Sequence, residues 1–295
     1  MTRGGSLGRA TALVALSACC FGSISILTVV GTRAGTSLTN LLLWRYLPAA
    51  VVLALIARRW PSGATPRADR RGVVYAIAVG GGGQALVGLL TLSALRWISA
   101  ATVGFLFYTY PSWVALFAAV RGTEHVDRRR AASLALSFGG IALMVGAPRD
   151  VAWPGVVLAL SGAVSYALYV PFLHRLEAGT SPALASAYVT GGAALVFLVM
   201  AAMDGTLTVH LTPTAWGAAA TLALVCTVGG FVAFLRGLAT LGPVRAAIVS
   251  TVEPFWTALL GAAALGQPVT ATTVAGGALI AAAVLLLHVA PSTRL

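Results

Sequence analysis

The chain has 295 residues, of which 59% are hydrophobic and 9% charged, and its mean hydropathy is +0.93. Soluble domains carry about 25% charged residues, so this composition excludes an ordinary soluble fold and indicates a protein immersed largely in lipid. The formal net charge of +12 would suit a nucleic-acid binder. However, the 19 basic residues are all arginine and stand mostly at the ends of apolar runs, which is typical of a membrane protein.

Apolar runs divide the chain into segments of membrane-spanning length. A helix needs about 20 apolar residues to cross about 30 Å of hydrocarbon. Ten runs meet or nearly meet this length, at 10–30, 38–57, 72–95, 98–120, 131–147, 151–173, 182–203, 214–235, 241–265 and 269–289. We therefore predict an all-α integral membrane protein of ten transmembrane helices.

The arginines predict the orientation of these helices. One set of alternate connections carries 15 arginines, and the other carries only Arg33, Arg96 and Arg149, with Arg45 inside a helix. Arginine-rich connections face the cytoplasm. We therefore expect a multi-pass protein of the inner membrane with both termini in the cytoplasm.

The two halves of the chain are related. Residues 33–37 (RAGTS) recur as 177–181 (EAGTS) at an offset of 144, and residues 110–113 (YPSW) match 253–256 (EPFW) at an offset of 143. Two matches whose offsets differ by only one residue over this distance indicate a duplication. Five helices per half is an odd number, so the second half, 152–295, enters the membrane inverted relative to the first, 1–148. Such inverted repeats around a central cavity are the architecture of many secondary transporters.

Several of these features resemble the drug/metabolite transporter superfamily, specifically its EamA-type members. They are the five-helix repeats, the Thr123-Glu124 and Gly266-Gln267 turns before the last helix of each half, and Glu253-Pro254 in the ninth helix. The chain is most similar to YddG-type exporters of aromatic and other neutral amino acids. The resemblance implies an inner-membrane carrier whose cavity is lined chiefly by the third, fourth, eighth and ninth helices, with parts of the first and sixth.

Two charged residues lie deep within the predicted spans, whereas Arg245 stands near the start of the ninth. A charge at mid-bilayer costs about 2.5–3.5 kcal/mol on insertion scales, so Arg45 and Glu253 should face protein or water. Arg45 would attract a solute carboxylate, hold backbone carbonyls or snorkel outwards. Glu253 would bind a solute ammonium, take up a coupling proton, or form a structural hydrogen bond beside Pro254.

Aromatic and polar residues complete the predicted cavity. Aromatic faces suit an apolar ring and attract an ammonium group, and Gln84 follows a run of four glycines deep in the third span. Pro111 and Pro254 occupy matching positions, where kinked helices could serve as hinges. The cavity candidates are Trp44, Arg45, Gln84, Phe107, Tyr108, Tyr110, Tyr166, Tyr169, Glu253 and Trp256.

These features predict a secondary transporter that exports small neutral, aromatic amino acids or related metabolites by alternating access. The alternatives are a multidrug or organic-cation exporter of the same superfamily, a membrane-embedded enzyme, and a channel. The chain has no lysine, so it lacks the phosphate-binding lysine of an ATP-driven pump. We expect no catalytic residue, cofactor, metal ion, nucleic acid or ATPase subunit. The expected partners are a small solute and the lipid bilayer, and a monomer is compatible with the sequence.

Overall fold

The computed structural model describes residues 3–59, 70–122, 128–145, 152–178 and 181–288, and their regular structure is entirely helical. The Thr123-Glu124 turn and Arg149 therefore lie outside the described residues. The α-helices within these ranges are α1 (Arg3–Arg33), α2 (Leu38–Arg59), α3 (Arg70–Tyr75), α4 (Gly82–Ser93), α5 (Ala100–Phe107), α6 (Tyr110–Val120), α7 (Arg128–Val145), α8 (Trp153–Ala178), α9 (Pro182–Met203), α10 (Pro213–Ala220), α11 (Gly230–Ser250), α12 (Val252–Leu265) and α13 (Ala271–His288).

Several of these helices join into longer spans. A π-helical segment, Ala76–Gly81, connects α3 to α4, and another, Thr221–Gly229, connects α10 to α11. Among the described residues, eight helical stretches are long and apolar enough to cross a membrane. Two more apolar stretches, Ala131–Met144 and Ala271–Leu286, are shorter, and both lie next to residues outside the description. The all-helical membrane class is thus confirmed, and the full count of ten spans stays a prediction.

Helix starts follow local sequence signals. Ser99, Ser181 and Thr212 each accept a hydrogen bond from the backbone N–H three residues later, which satisfies a group that a helix start leaves open. Pro182 and Pro213 directly follow two of these caps, where their missing N–H costs no hydrogen bond. The third and fourth spans are separated at Ser99, where the sequence predicts a turn.

The helices of the two halves pack reciprocally. α2 packs against α9, and α7 against α13, which joins the second helices and the last helices of the two halves. α1 contacts α11 and α12, while α8 contacts α4 and α5. The first helix of each half thus lies against the third and fourth helices of the other. A two-fold relation between the halves would produce this pattern.

Glycines allow several of these helices to approach closely. Gly81 contacts Gly192 of α9, and a Cβ atom at Gly140 would lie 2.6 Å from the carbonyl oxygen of Gly276 in α13. Neither contact leaves room for a side chain. In lipid, where burial of apolar groups gives no net gain, such small residues let helix backbones pack tightly.

Candidate solute site

Two spans are interrupted in mid-course, at corresponding positions in the two halves. The fourth span breaks between α5 and α6 at Tyr108 and Thr109, and the ninth breaks between α11 and α12 at Thr251. The hydroxyls of Thr109 and Thr251 donate to the carbonyl oxygens of Leu106 and Ile248, both at 2.7 Å. The backbone at both breaks is therefore supported by the same local hydrogen bond.

The two predicted hinge prolines follow these breaks. Pro111 is the second residue of α6 and Pro254 the third residue of α12. Each stands in the first turn of a new helix rather than at a bend in a continuous one. Proline is tolerated there because the first N–H groups of a helix have no partner within it.

Aromatic rings from three helices meet beside the first break. The centroids of Tyr110 and Tyr166 are 4.8 Å apart with the rings nearly perpendicular, and Phe107 lies 5.4 Å from Tyr166. Tyr108 contacts Tyr110 at 6.1 Å. We call these four residues, Phe107, Tyr108, Tyr110 and Tyr166, the aromatic cluster. Edge-to-face packing of this kind is a favourable arrangement for aromatic pairs.

Glu253 adds a carboxylate to this cluster. It is partly buried in the first turn of α12, and its side chain lies near those of Tyr108 and Tyr110. One turn further, the indole N–H of Trp256 donates to the hydroxyl of Ser23 in α1 at 3.0 Å. The structure thus brings six of the ten cavity candidates to one place. A carboxylate among aromatic rings can hold an ammonium group and an apolar ring together.

Three candidates lie elsewhere, around α2. The indole N–H of Trp44 donates to the carbonyl oxygen of Thr208 at 3.1 Å, in the connection that follows α9. Arg45 is buried, and its Nε donates to the hydroxyl of Thr227 at 3.1 Å. The amide nitrogen of Gln84 donates to the hydroxyl of Tyr46 at 3.2 Å. These side chains tie α2 to its neighbours, and a solute-binding role for them stays a prediction.

Tyr169 links the aromatic cluster to the third span. Its ring lies 6.3 Å from that of Tyr166, and its hydroxyl donates to the carbonyl oxygen of Gly80 at 2.8 Å. Gly80 belongs to the π-helical segment 76–81, and a Cβ atom at Gly83 would press against the Tyr169 ring. The glycine run therefore overlaps the end of the π-helical segment and also admits a close neighbour.

Sequence analysis expects parts of the first span at the cavity but names no residue of α1 there. A Cβ atom at Gly22 would lie 2.7 Å from the carbonyl oxygen of Glu253, and Thr257 donates to the carbonyl oxygen of Gly22 at 2.8 Å. The offset of 144 places Gly22 opposite Tyr166 in the repeat. That correspondence was the available signal, because Tyr166 was already a cavity candidate.

The apolar helical spans, with aromatic and charged groups gathered between them, are those of a membrane transporter. The model of the EamA-like transporter family matches residues 9–146 and again residues 153–289. The chain belongs to the EamA-like transporter family. It is therefore a transporter rather than an enzyme, and its partners are a small molecule and the lipid bilayer.

Two individual proteins are also similar to this chain. An uncharacterized transporter of Archaeoglobus fulgidus is 26% identical over 195 residues, which cover 66% of this chain and 69% of that protein. A protein of known crystal structure superposes with a TM-score of 0.65 at 16% identity, over 94% of this chain and 96% of its own. The second likeness concerns the fold alone.

Proposed function

We propose that this transporter exports neutral, aromatic amino acids across the inner membrane. The observation that carries the proposal is the position of Glu253 beside the aromatic cluster. An amino-acid ammonium group would pair with the carboxylate, and an aromatic side chain would lie against the rings. Export, rather than uptake, follows from the resemblance to YddG-type exporters.

Alternating access is the proposed mechanism. The reciprocal packing of the halves and the two separate family matches support an inverted repeat of five-helix units, with bounds near 1–148 and 152–295. The site would then lie at the seam, as in other carriers of this architecture. Breaks at Thr109 and Thr251 give both halves a point where the backbone can bend without losing an internal helical hydrogen bond. The arginine distribution supports cytoplasmic termini.

A second candidate function is export of organic cations. The same carboxylate and rings favour it, because both attract a positively charged group. The two functions differ in their solutes: an amino acid needs a partner for its carboxylate, whereas a cation needs only the acidic site and space.

Counterflow in liposomes containing only this protein tests the proposal. We expect labelled phenylalanine to exchange saturably with unlabelled tyrosine or tryptophan and not with tetraphenylphosphonium. Exchange of the cation alone would favour the second candidate, and non-saturable flux would indicate a channel.

Glu253→Gln tests the part played by the carboxylate. We expect the substitution to reduce the apparent affinity for phenylalanine about tenfold or more, since a charged hydrogen bond contributes about 1.5–3 kcal/mol. Asp204→Asn, at an exposed carboxylate after α9, is the matched control and should leave counterflow unchanged. Glu253→Gln should also abolish any pH dependence of flux. An unchanged pH dependence would show that Glu253 does not take up a coupling proton.

A further inference from the structure

A polar cavity lies away from Glu253, where the connections after the first and third spans meet the turn before α13. Its volume is about 460 Å³, which is within the range of small-molecule sites. Its polar lining includes Arg33, Arg96, Gln267, Thr28, Thr32 and Thr36. None of its lining residues is acidic.

The two arginines are unusual for their side of the membrane. Arg33 and Arg96 are two of only three arginines in the arginine-poor connections, where the positive-inside bias disfavours them. They come from different spans, yet they line the same cavity. The charge bias therefore does not explain their placement, whereas a ligand of opposite charge would.

The main donors of this cavity are its two guanidinium groups, because the hydroxyls of Thr28 and Thr32 already donate to backbone carbonyl oxygens within α1. Neither guanidinium forms a hydrogen bond or an ion pair with any residue that the structure describes. The amide oxygen of Gln267 accepts from the backbone N–H of Ala100 at 2.9 Å, which leaves its NH₂ group as a further donor. Guanidinium groups bind carboxylates through paired charge-assisted hydrogen bonds. The cavity thus offers donors and positive charge to an organic anion.

We propose that this outer cavity binds the carboxylate of the exported solute as the solute leaves the protein. The inference rests on the proposed export function and narrows its substrate class to solutes that carry a carboxylate. Glu253 and the aromatic cluster would hold the ammonium group and ring, and Arg33 and Arg96 would receive the acid group on the outer side. A simple organic cation would have no partner here.

Arginine modification in lipid nanodiscs tests the site without requiring transport. Phenylglyoxal reacts with exposed guanidinium groups, and peptide mass spectrometry reports each arginine separately. Three solutes distinguish the contributions of the ammonium and carboxylate groups. They are phenylalanine, N-acetylphenylalanine without an ammonium group, and phenylalaninamide without a carboxylate. At about four times its Kd, a carboxylate solute should slow modification of Arg33 and Arg96 about fivefold by mass action. Exposed Arg58 and Arg121 are internal controls that should react at an unchanged rate.

The two acids should protect and the amide should not. Equal protection by all three solutes, or by none, would overturn the proposal, as would equal protection by chloride or phosphate alone. If no solute shows counterflow but the acids protect, the export function fails and the carboxylate site stands. If phenylalanine shows counterflow without protecting, the site fails and the export function stands.

Substitution gives a second measurement. Arg33→Gln and Arg96→Gln should each weaken protection by N-acetylphenylalanine about two- to fivefold at the remaining arginine, as expected for partly exposed ion pairs. Arg58→Gln should leave it unchanged. An unchanged value in both cavity variants would contradict the assignment.

Discussion

The two mid-span breaks have a similar backbone arrangement but differ in the side chains around them. At the first, Tyr166 of the opposite half packs its ring against Tyr110. At the second, the repeat places Gly22 where Tyr166 would be and Glu253 where Tyr110 would be, and the two backbones touch. One seam is filled by aromatic rings, whereas the other is closed by direct backbone contact beside a carboxylate. Under the proposed function, the shared backbone breaks would serve movement, and the side chains that differ between the halves would serve solute binding.

The largest expected effect tests the backbone contact at the second break. Gly22→Ala would place a methyl group against the Glu253 carbonyl oxygen, and overpacking of this kind costs about 1–3 kcal/mol. We therefore expect a clear fall in Tm of the detergent-solubilised protein. Gly139→Ala is the matched control, because it lies within a helix but has open space around it. A Tm for Gly22→Ala equal to that of the control would show that α1 and α12 do not pack closely at this position.

A smaller effect should separate the two corresponding tryptophans. Trp256 donates to Ser23 in another helix, while Trp113 donates to Thr109 within the same span. Losing such a hydrogen bond costs about 0.5–1.5 kcal/mol, so Trp256→Phe should weaken phenylalanine binding about two- to tenfold in equilibrium dialysis. Trp113→Phe should change it less. Equal effects would mean that the contact between α1 and α12 has no special part in binding.

Much of the fold could be predicted because its signals are local. Apolar length places the spans, Ser99 marks a helix start, and the repeat aligns Pro111 with Pro254. The partners of Arg45 and Gln84 could not be predicted in the same way. Their hydrogen bonds run to Thr227 and Tyr46, which lie 182 and 38 residues away on other spans, and no periodicity records which helices will meet.

The same reasoning explains which part of the site was anticipated. Glu253 and the aromatic cluster could be recognised in the sequence because they are charged or aromatic residues within apolar runs. Gly22 and Ser23 are small residues in such a run, and the sequence does not distinguish them from small residues that serve only helix packing. The π-helical segments were also unexpected as such; the first packs against α9 and the second against α1 and α2, and local sequence does not record these neighbours.

Cysteine protection at Ser23 tests the central claim, that the solute binds beside Glu253 and the aromatic cluster. Cys19, Cys20 and Cys226 would first be replaced by alanine, and Ser23→Cys then labelled with a maleimide. Phenylalanine should slow this labelling while leaving Asp204→Cys unaffected. Labelling at Ser23→Cys that is indifferent to phenylalanine, in protein that still exchanges it, would contradict the account.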